Sequence, residues 1–388
     1  MMKKKRFNTR AIHVGNIPDA ETGAVSMPIH LSSTYQQEKV GVHKGFDYSR
    51  AGNPTRKCFE ENIASLENGR HGISFASGMA ATTALFQTLN QGDHVIIGRN
   101  VYGGTYRMAV EVLSKHGFNF EFVDTRFIEK IKAALKPNTK WIFVETPTNP
   151  LLELCDISLV ANLCKERNVR LAVDNTFMSP YGQNPLKLGA DIVMHSATKF
   201  IGGHSDLISG VLITNDADLA DELYFIQKSG GAISSPFDCW LLLRSTKTMA
   251  LRVQRQSDNA MVLSKVLDAH PKVQSVVYPG LDNHPQHELA MKQQISSEGV
   301  PIFGCMVSFR CKSIEKRDSF LSKIQLFTLA ESLGGVESLV CVPYEMTHAS
   351  VPEKIKKNME LTPELVRLSV GIEDLDDLSE DITEALED

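Results

Sequence analysis

Short runs rich in β-branched and aromatic residues alternate with helical segments between about residues 70 and 215, and this alternation constrains the fold more than any other feature. It is typical of a parallel sheet covered by helices on both faces. The runs are HGISFA, HVIIG, FNFEFVD, WIFVE, RLAVD, ADIVMHS and ISGVLIT. The sequence therefore predicts an α/β fold whose larger domain contains a mostly parallel seven-stranded sheet.

Two of the helical segments carry clear end signals. In NPTRKCFEENIASLENG, Asn53 can cap the helix, Pro54 suits its first position and Asn68-Gly69 ends it. A second helix is predicted to begin behind Asp156. The apolar residues that share one face of these helices are Phe59, Ile63 and Leu66 in the first and Ile157, Val160, Leu163 and Cys164 in the second.

The length of 388 residues predicts about two domains. Because residues 1–52 are polar and irregular, we assign an N-terminal arm to residues 1–60, and such an arm often packs on a partner subunit. The large domain is assigned to 61–255 and a smaller α/β domain to 256–388, with strands near VQSVVYP, CMVSF and VRLSVGI. The boundary lies within the long amphipathic segment TMALRVQRQSDNAMVLSKVLDAHP.

Charge and composition exclude several classes of protein. The net charge is −5 with mixed signs, so no basic field favours nucleic acid or an anionic membrane, and the basic KKKR near the start is expected to be a solvated tip. No apolar run is long enough to cross a bilayer. The start MMKKKRF lacks the apolar segment of a secretory signal. We expect a cytoplasmic protein with a small-molecule ligand.

The cysteines and histidines do not predict a metal site or a disulfide framework. The seven cysteines are scattered and contain no C-x-x-C pair, so most are expected to be buried thiols. The pair in HPQH, His284 and His287, has no third ligand at a helpful spacing, and its proline indicates a turn.

Polar residues follow several of the predicted strands, at the sheet edge where α/β folds bind ligands. Ser77-Gly78-Met79 follows HGISFA at a helix start, where free backbone N–H groups and the helix dipole favour a phosphate. Tyr102, in the glycine-flexed NVYGGT, could lie against a flat ligand. An ordinary turn tyrosine is the alternative.

Three further strands end in groups that could bind the same ligand. WIFVE leads into TPTNP with Asn149, and RLAVD ends at Asp174, which could instead be a capping aspartate. ADIVMHS is followed by Thr198 and Lys199, and it ends at Ser196. A surface lysine among loop hydroxyls is the alternative, but one flat, phosphorylated aldehyde would explain all these groups together.

Pyridoxal phosphate is such a ligand. Lys199 can form a Schiff base with its aldehyde, and Ser196 and Thr198 could bind its phosphate together with the helix start at Gly78 and Met79. Asp174 is the candidate to keep the pyridine nitrogen protonated, so that the ring accepts electrons from a substrate carbanion. An ordinary lysine pKa near 10.4 is too high for a base at neutral pH, so the pKa of Lys199 must be lowered by its surroundings.

The spaced motifs resemble the γ-family of fold-type I pyridoxal-phosphate enzymes that act on cystathionine and methionine. The resemblance runs from about Tyr35 to the C-terminus. It is carried by YSRAGNPT, FASGMAA, NVYGGT, ETPTNP, DNTFMSPY, HSATKFIGGHSD, FTLAESLGGVESL, MTHAS and VRLSVGIED. It implies the fold-type I transferase-like architecture, in which a smaller C-terminal domain binds substrate.

The resemblance also implies roles for single residues. Lys199 would bind the cofactor aldehyde and move protons, Tyr102 would stack on the ring and Asp174 would pair with the pyridine nitrogen. Gly78, Met79, Ser196 and Thr198 would hold the phosphate. The remaining implied contacts are Tyr48 and Arg50 of the arm on the phosphate of a neighbouring subunit, Arg367 on the substrate's α-carboxylate, Asn149 and Ser332 as its orienting groups, and Glu331 in the substrate pocket.

The activity implied is that of a carbon–sulfur lyase that cleaves L-cystathionine to L-cysteine, 2-oxobutanoate and ammonia in transsulfuration. Members that break the β bond usually have an aromatic residue at the position of Glu331. Members acting on methionine usually have a small apolar residue at that position and a cysteine at the position of Gly104. γ-Replacement on an activated homoserine and β-elimination of cystathionine remain the alternatives. A homotetramer built as a dimer of dimers is the implied assembly.

Two other classes of protein share part of this pattern. A dinucleotide-binding dehydrogenase would have similar strand and helix alternation, but no G-x-G-x-x-G follows any candidate strand. A catalytically silent scaffold is disfavoured, because Lys199, Asp174 and Arg367 are all present.

Overall fold

The computed structural model describes residues 5–349 and 351–387 and contains a seven-stranded and a five-stranded sheet. Of the KKKR run that we predicted to be a solvated tip, Lys5 and Arg6 are exposed, whereas Lys3 and Lys4 lie outside the described residues, as does Ser350 of the MTHAS motif. Every strand predicted for the large sheet is present, and the α/β class is confirmed.

The large sheet has the strand order β3-β9-β8-β7-β6-β4-β5. Its strands from β4 to β8 run parallel, whereas β9 pairs antiparallel with both β3 and β8. The parallel strands bring their carboxyl ends to one edge. The strands are β3 (His71–Phe75), β4 (His94–Gly98), β5 (Asn119–Val123), β6 (Thr139–Glu145), β7 (Arg170–Asp174), β8 (Ile192–Ser196) and β9 (Gly210–Thr214).

Helices cover both faces of this sheet and connect it to the smaller one. A π-helical turn at Met108–Val112 and a 3₁₀ turn at Leu113–His116 follow the fourth helix. The α-helices are α1 (Phe7–His13), α2 (Pro54–Leu66), α3 (Gly78–Phe86), α4 (Gly103–Arg107), α5 (Ile128–Ala134), α6 (Ile157–Arg167), α7 (Ser179–Gly182), α8 (Ala217–Gly230), α9 (Pro236–Thr246), α10 (Met249–Ala269), α11 (His287–Gln293), α12 (Ile314–Lys323), α13 (Glu353–Asn358) and α14 (Leu375–Leu386).

The two helices with clear end signals form where the sequence predicts them. The Asn53 side chain accepts from the backbone N–H groups of Thr55 and Arg56 at the start of α2, which satisfies two of its unpaired donors. The Asp156 side chain accepts from Leu159 N at the start of α6. The predicted apolar faces of both helices are buried.

The smaller sheet has the order β10-β11-β14-β13-β12 and is antiparallel except between β12 and β13. Its strands β10, β11 and β14 correspond to the three predicted runs, whereas β12 and β13 were missed because such short pieces show no alternation. The predicted boundary after residue 255 falls inside α10 and stays a prediction. The strands are β10 (Val273–Val277), β11 (Met306–Cys311), β12 (Thr328–Leu329), β13 (Leu339–Cys341) and β14 (Leu365–Ser369).

The N-terminal arm differs from the irregular segment that we expected. It begins with α1, whose Phe7 and Ala11 are buried in the main core, where Phe7 packs edge-on against Tyr181. After α1, the described part of the arm contains two short strands, β1 (Gln37–Lys39) and β2 (Val42–His43). In a segment of seven residues, hydrophobic periodicity does not distinguish an amphipathic helix from a polar loop.

Candidate active site

The carboxyl ends of the parallel strands meet at a cavity of about 260 Å³. Of the described residues predicted to form the site, all but Tyr48 and Arg50 line this cavity. The two sheets both contribute, because Arg367 lies in β14 and Ser332 lies in the loop before β13, while Asp174 ends β7.

Lys199 lies in the turn after β8 and its ammonium group is mostly shielded from water. Nζ donates to the Ser332 hydroxyl at 2.7 Å. Burial, with a smaller contribution from the Arg367 cation, lowers the pKa of Lys199 to about 8 against the opposing effect of the Glu331 carboxylate. The amine therefore has the depressed pKa that proton transfer near neutral pH requires.

Asp174 and Glu145 are buried carboxyl groups on adjacent strands, paired directly in register between β6 and β7. Asp174 Oδ1 accepts from the backbone N–H of Thr176 at 3.0 Å and from its hydroxyl at 2.5 Å, while Oδ2 has no hydrogen-bond partner within the described part of the chain. Burial raises the pKa of both Asp174 and Glu145, and for Glu145 the neighbouring Asp174 charge raises it further. A cationic ligand donor beside Asp174 would offset this cost.

The start of α3 also lines the cavity. The Ser77 side chain caps this helix by accepting from Ala80 N, so the backbone N–H groups of Gly78 and Met79 are at its open N-terminus. A Cβ at Gly78 would lie only 3.0 Å from Ser196 Cβ, so a side chain there would separate the helix start from β8. Thr198 already exchanges hydrogen bonds with the Ser209 backbone at 3.0 and 3.1 Å.

Tyr102 lies directly before α4 and is 41% exposed at the cavity, so its ring is available to a ligand. Its backbone N–H donates to Glu145 Oε2 at 2.8 Å. A Cβ at Gly104 would come within 2.5 Å of the Tyr102 ring and 2.8 Å of the Met79 sulfur. Glycine is therefore needed at position 104 for Tyr102 to keep this position.

Arg367 is buried, and its guanidinium is held from two directions. Nη1 donates to Asn149 Oδ1 at 2.8 Å and Nη2 donates to the Ser332 carbonyl at 2.9 Å, while Nε is buried without a partner in the described chain. Ser332 has a φ of +88°, in the region that side chains rarely adopt, and it contacts both Arg367 and Lys199. The arrangement fits the recognition of a carboxylate next to the amine.

Glu331 is exposed at the cavity and interacts electrostatically with Lys199. Tyr48 and Arg50 instead lie on the surface of the arm, where the Arg50 guanidinium is 5.4 Å from the Tyr48 ring centroid. Arg50 donates to the Lys228 carbonyl of its own chain.

The residues present fit pyridoxal phosphate. The helix start at α3 suits a phosphate, the free Oδ2 of buried Asp174 suits a protonated pyridine nitrogen, and Lys199 supplies an amine of depressed pKa. Tyr102 supplies a ring at the cavity wall.

Sequence reasoning missed four polar residues that line the cavity: Thr105, Glu145, Thr176 and Thr347. Glu145 could have been found, because it ends the predicted strand WIFVE at the same edge as Asp174. Thr105 and Thr347 do not follow a predicted strand of the large sheet, because Thr105 lies in α4 and Thr347 lies in the loop after β13. No group of three or more His, Cys, Asp or Glu that could hold a metal occurs in the described residues, and no helix among them is long and apolar enough to cross a membrane.

The fold and the site define a pyridoxal-phosphate enzyme. The model of the Cys/Met metabolism PLP-dependent enzyme family matches residues 8–387, and the chain belongs to this family. Pyridoxal phosphate is therefore its cofactor.

Relatives cover the whole chain. The sequence is 50% identical over 386 residues to a cystathionine γ-lyase of Bacillus subtilis, which covers 100% of both chains. It is 47% identical to a cystathionine β-lyase of Coxiella burnetii over 99% of this chain and 98% of the relative. The crystal structure of metB from Corynebacterium glutamicum superposes with a TM-score of 0.95 at 46% identity, covering 100% of this chain and 99% of that one.

Proposed function

We propose that this protein cleaves L-cystathionine by γ-elimination, with water, to L-cysteine, 2-oxobutanoate and ammonia. The observation that carries the proposal is the joint position of Lys199, Asp174 and Arg367 around one cavity, which also exposes Glu331. The full-length similarity to a cystathionine γ-lyase supports it. Bound pyridoxal phosphate would stabilise the negative charge that develops at the substrate's α-carbon.

The chain's own residues would supply binding and proton transfer. Arg367 would bind the α-carboxylate, and Asn149 and Ser332 already hold its guanidinium in place. Lys199 Nζ would remove the α-proton and then a β-proton, so that the electron pair left at the β-carbon can break the bond between the γ-carbon and sulfur and cysteine can leave as its thiolate; a pKa near 8 permits these transfers at neutral pH. Asp174 would accept from the pyridine N–H, and Gly78, Met79, Ser196 and Thr198 would hold the phosphate.

β-Elimination of cystathionine is the second candidate, favoured by the similarity to a cystathionine β-lyase. The side chain at position 331 argues for the γ reaction. Members of the family that break the β bond usually have an aromatic residue at this position, whereas this chain has Glu331, which is exposed at the cavity.

Product analysis tests the proposal. The purified protein should carry a yellow chromophore that borohydride bleaches, and it should convert L-cystathionine to cysteine plus 2-oxobutanoate. Homocysteine plus pyruvate would instead identify β-elimination, and net formation of cystathionine from cysteine and an activated homoserine would identify γ-replacement. Lys199→Ala should abolish turnover; near wild-type activity of that variant would contradict the role of Lys199.

We further propose a homotetramer, as a dimer of dimers, in which Tyr48 and Arg50 reach the phosphate site of a neighbouring subunit. Their exposure on the arm, outside the cavity of their own chain, supports this role. The cytoplasmic location predicted from the sequence stays a prediction that cell fractionation would test.

A further inference from the structure

Glu145 is a carboxyl group at the centre of the site for which the proposed reaction provides no role. It ends β6 beside Asp174, lines the cavity and is 5% exposed. A buried carboxyl next to another carboxyl is costly unless its interactions compensate. The hydrogen bonds that Glu145 accepts indicate its role.

The two oxygens of Glu145 accept backbone hydrogen bonds from two different segments that line the cavity. Oε2 accepts from Tyr102 N and Oε1 accepts from Asn149 N, each at 2.8 Å. Tyr102 lies directly before α4, and the Asn149 side chain accepts from Arg367 Nη1. A single carboxylate therefore joins the segment that carries the aromatic ring to the segment that supports the arginine.

The carboxylate form has a specific advantage in this position. Two oxygens that both accept can satisfy two N–H donors, and hydrogen bonds to a charged acceptor are the stronger kind. A glutamine of the same shape has one oxygen, so its NH₂ group would face one of the two N–H donors. Burial and the Asp174 charge raise the pKa of Glu145 against the two backbone donors and the Arg367 charge, so it is the geometry of two N–H groups, each donating to a different oxygen, that argues for the ionised form.

We propose that Glu145 is a positioning residue that fixes the distance between the Tyr102 ring and the Asn149–Arg367 pair. It thereby sets where the cofactor ring lies relative to the substrate's α-carboxylate. This role rests on the proposed function for its kinetic consequence, but not for its effect on the bound cofactor.

The test compares Glu145→Gln with the wild-type holoenzyme. We expect unchanged pyridoxal phosphate content, an altered visible circular dichroism of the bound cofactor, and a KM for cystathionine raised about tenfold with a smaller change in kcat. Visible circular dichroism reports the asymmetry around the cofactor, which a displaced Tyr102 would change. If the glutamine variant fails to fold, Glu145→Asp shortens the same link and is measured in the same way.

Glu60→Gln is the matched control. Glu60 is also buried and accepts from the backbone N–H and the hydroxyl of Ser74, away from the cavity. It should lower thermal stability without changing the dichroism or the KM. A Glu145→Gln variant that behaves like this control would overturn the proposal. If the wild-type protein does not cleave cystathionine, the proposed function fails, while the dichroism still decides the role of Glu145.

Discussion

Lys199 is a partly buried amine whose positive charge is disfavoured by its surroundings. Burial and the Arg367 cation lower its pKa to about 8, whereas the Glu331 carboxylate acts in the other direction. The amine must be neutral to react with an aldehyde. The fraction of neutral Lys199 therefore rises as the pH increases through about 8, well below the ordinary lysine range.

The rate at which the apoenzyme binds pyridoxal phosphate should follow this titration. We expect the rate to rise with a midpoint near pH 8 and then level off, as followed by the growth of the visible absorption band. Glu331→Gln should move the midpoint to lower pH, because it removes the charge that favours the ammonium form. A midpoint close to that of an exposed lysine would contradict the depressed pKa.

The charge of Glu331 at the cavity also leads to a prediction about substrate specificity. Glu331→Ala should reduce kcat/KM for cystathionine about tenfold, and much less for cysteine or homoserine, which lack the distal ammonium. The control is Glu337→Ala in the same loop, whose carboxylate instead contacts Ser205 and does not line the described cavity. Equal losses for all three substrates would leave Glu331 with a structural role only.

At the scale of secondary-structure elements, a buried polar cluster ties the end of α2 to the strands that carry the site. Glu67 Oε1 lies 2.6 Å from His195 Nε2 and accepts from Asn175 Nδ2 at 2.8 Å. His195 precedes Ser196 in β8, and Asn175 directly follows Asp174. The cluster therefore packs behind the two strand ends that would hold the cofactor.

Removing Glu67 should destabilise the fold strongly. Glu67→Ala leaves the buried His195 imidazole without its hydrogen-bond partner and removes one of the acceptors of the Asn175 amide, which should cost about 2–3 kcal/mol of unfolding free energy. Glu61→Ala on the same helix removes an exposed pair with Lys57 at 3.9 Å and should cost at most about 1 kcal/mol. Denaturant unfolding of both variants checks this, and similar losses would show that the cluster contributes little.

At the scale of the whole molecule, one described chain does not bring all predicted site residues together. Tyr48 is 46% exposed, and the arm around it also exposes large apolar side chains. Those with more than two thirds of their surface exposed are Ile17, Val25, Leu31 and Val40. An arm of this kind is suited to packing on a second copy of the chain.

Subunit mixing tests whether the arm completes a neighbouring site. Arg50→Ala and Lys199→Ala should each be inactive alone, but co-refolded oligomers of the two should regain part of the activity. Some mixed sites would combine the unmutated Arg50 of one chain with the unmutated Lys199 of the other. Mixed oligomers without any recovery would place Arg50 in its own subunit's site.

The sequence by itself predicts the large sheet, because its strands are short runs rich in β-branched and aromatic residues that alternate with helical segments, and the residues at the strand ends are read directly. It also predicts the caps of α2 and α6, since capping depends on a side chain and backbone donors only two or three residues away. The brief strands β12 and β13 and the arm helix α1 were missed, because their pairing or burial depends on distant parts of the chain.

The tertiary structure alone decided how the separate motifs meet. Arg367 contacts Asn149 and Ser332, which lie 218 and 35 residues away in the sequence, and Lys199 contacts Ser332 across 133 residues. The depressed pKa of Lys199 and the double acceptor role of Glu145 follow from these contacts and from burial. Local sequence determines which groups stand at the strand ends, whereas their charge states and distances are set by packing between segments that only the fold brings together.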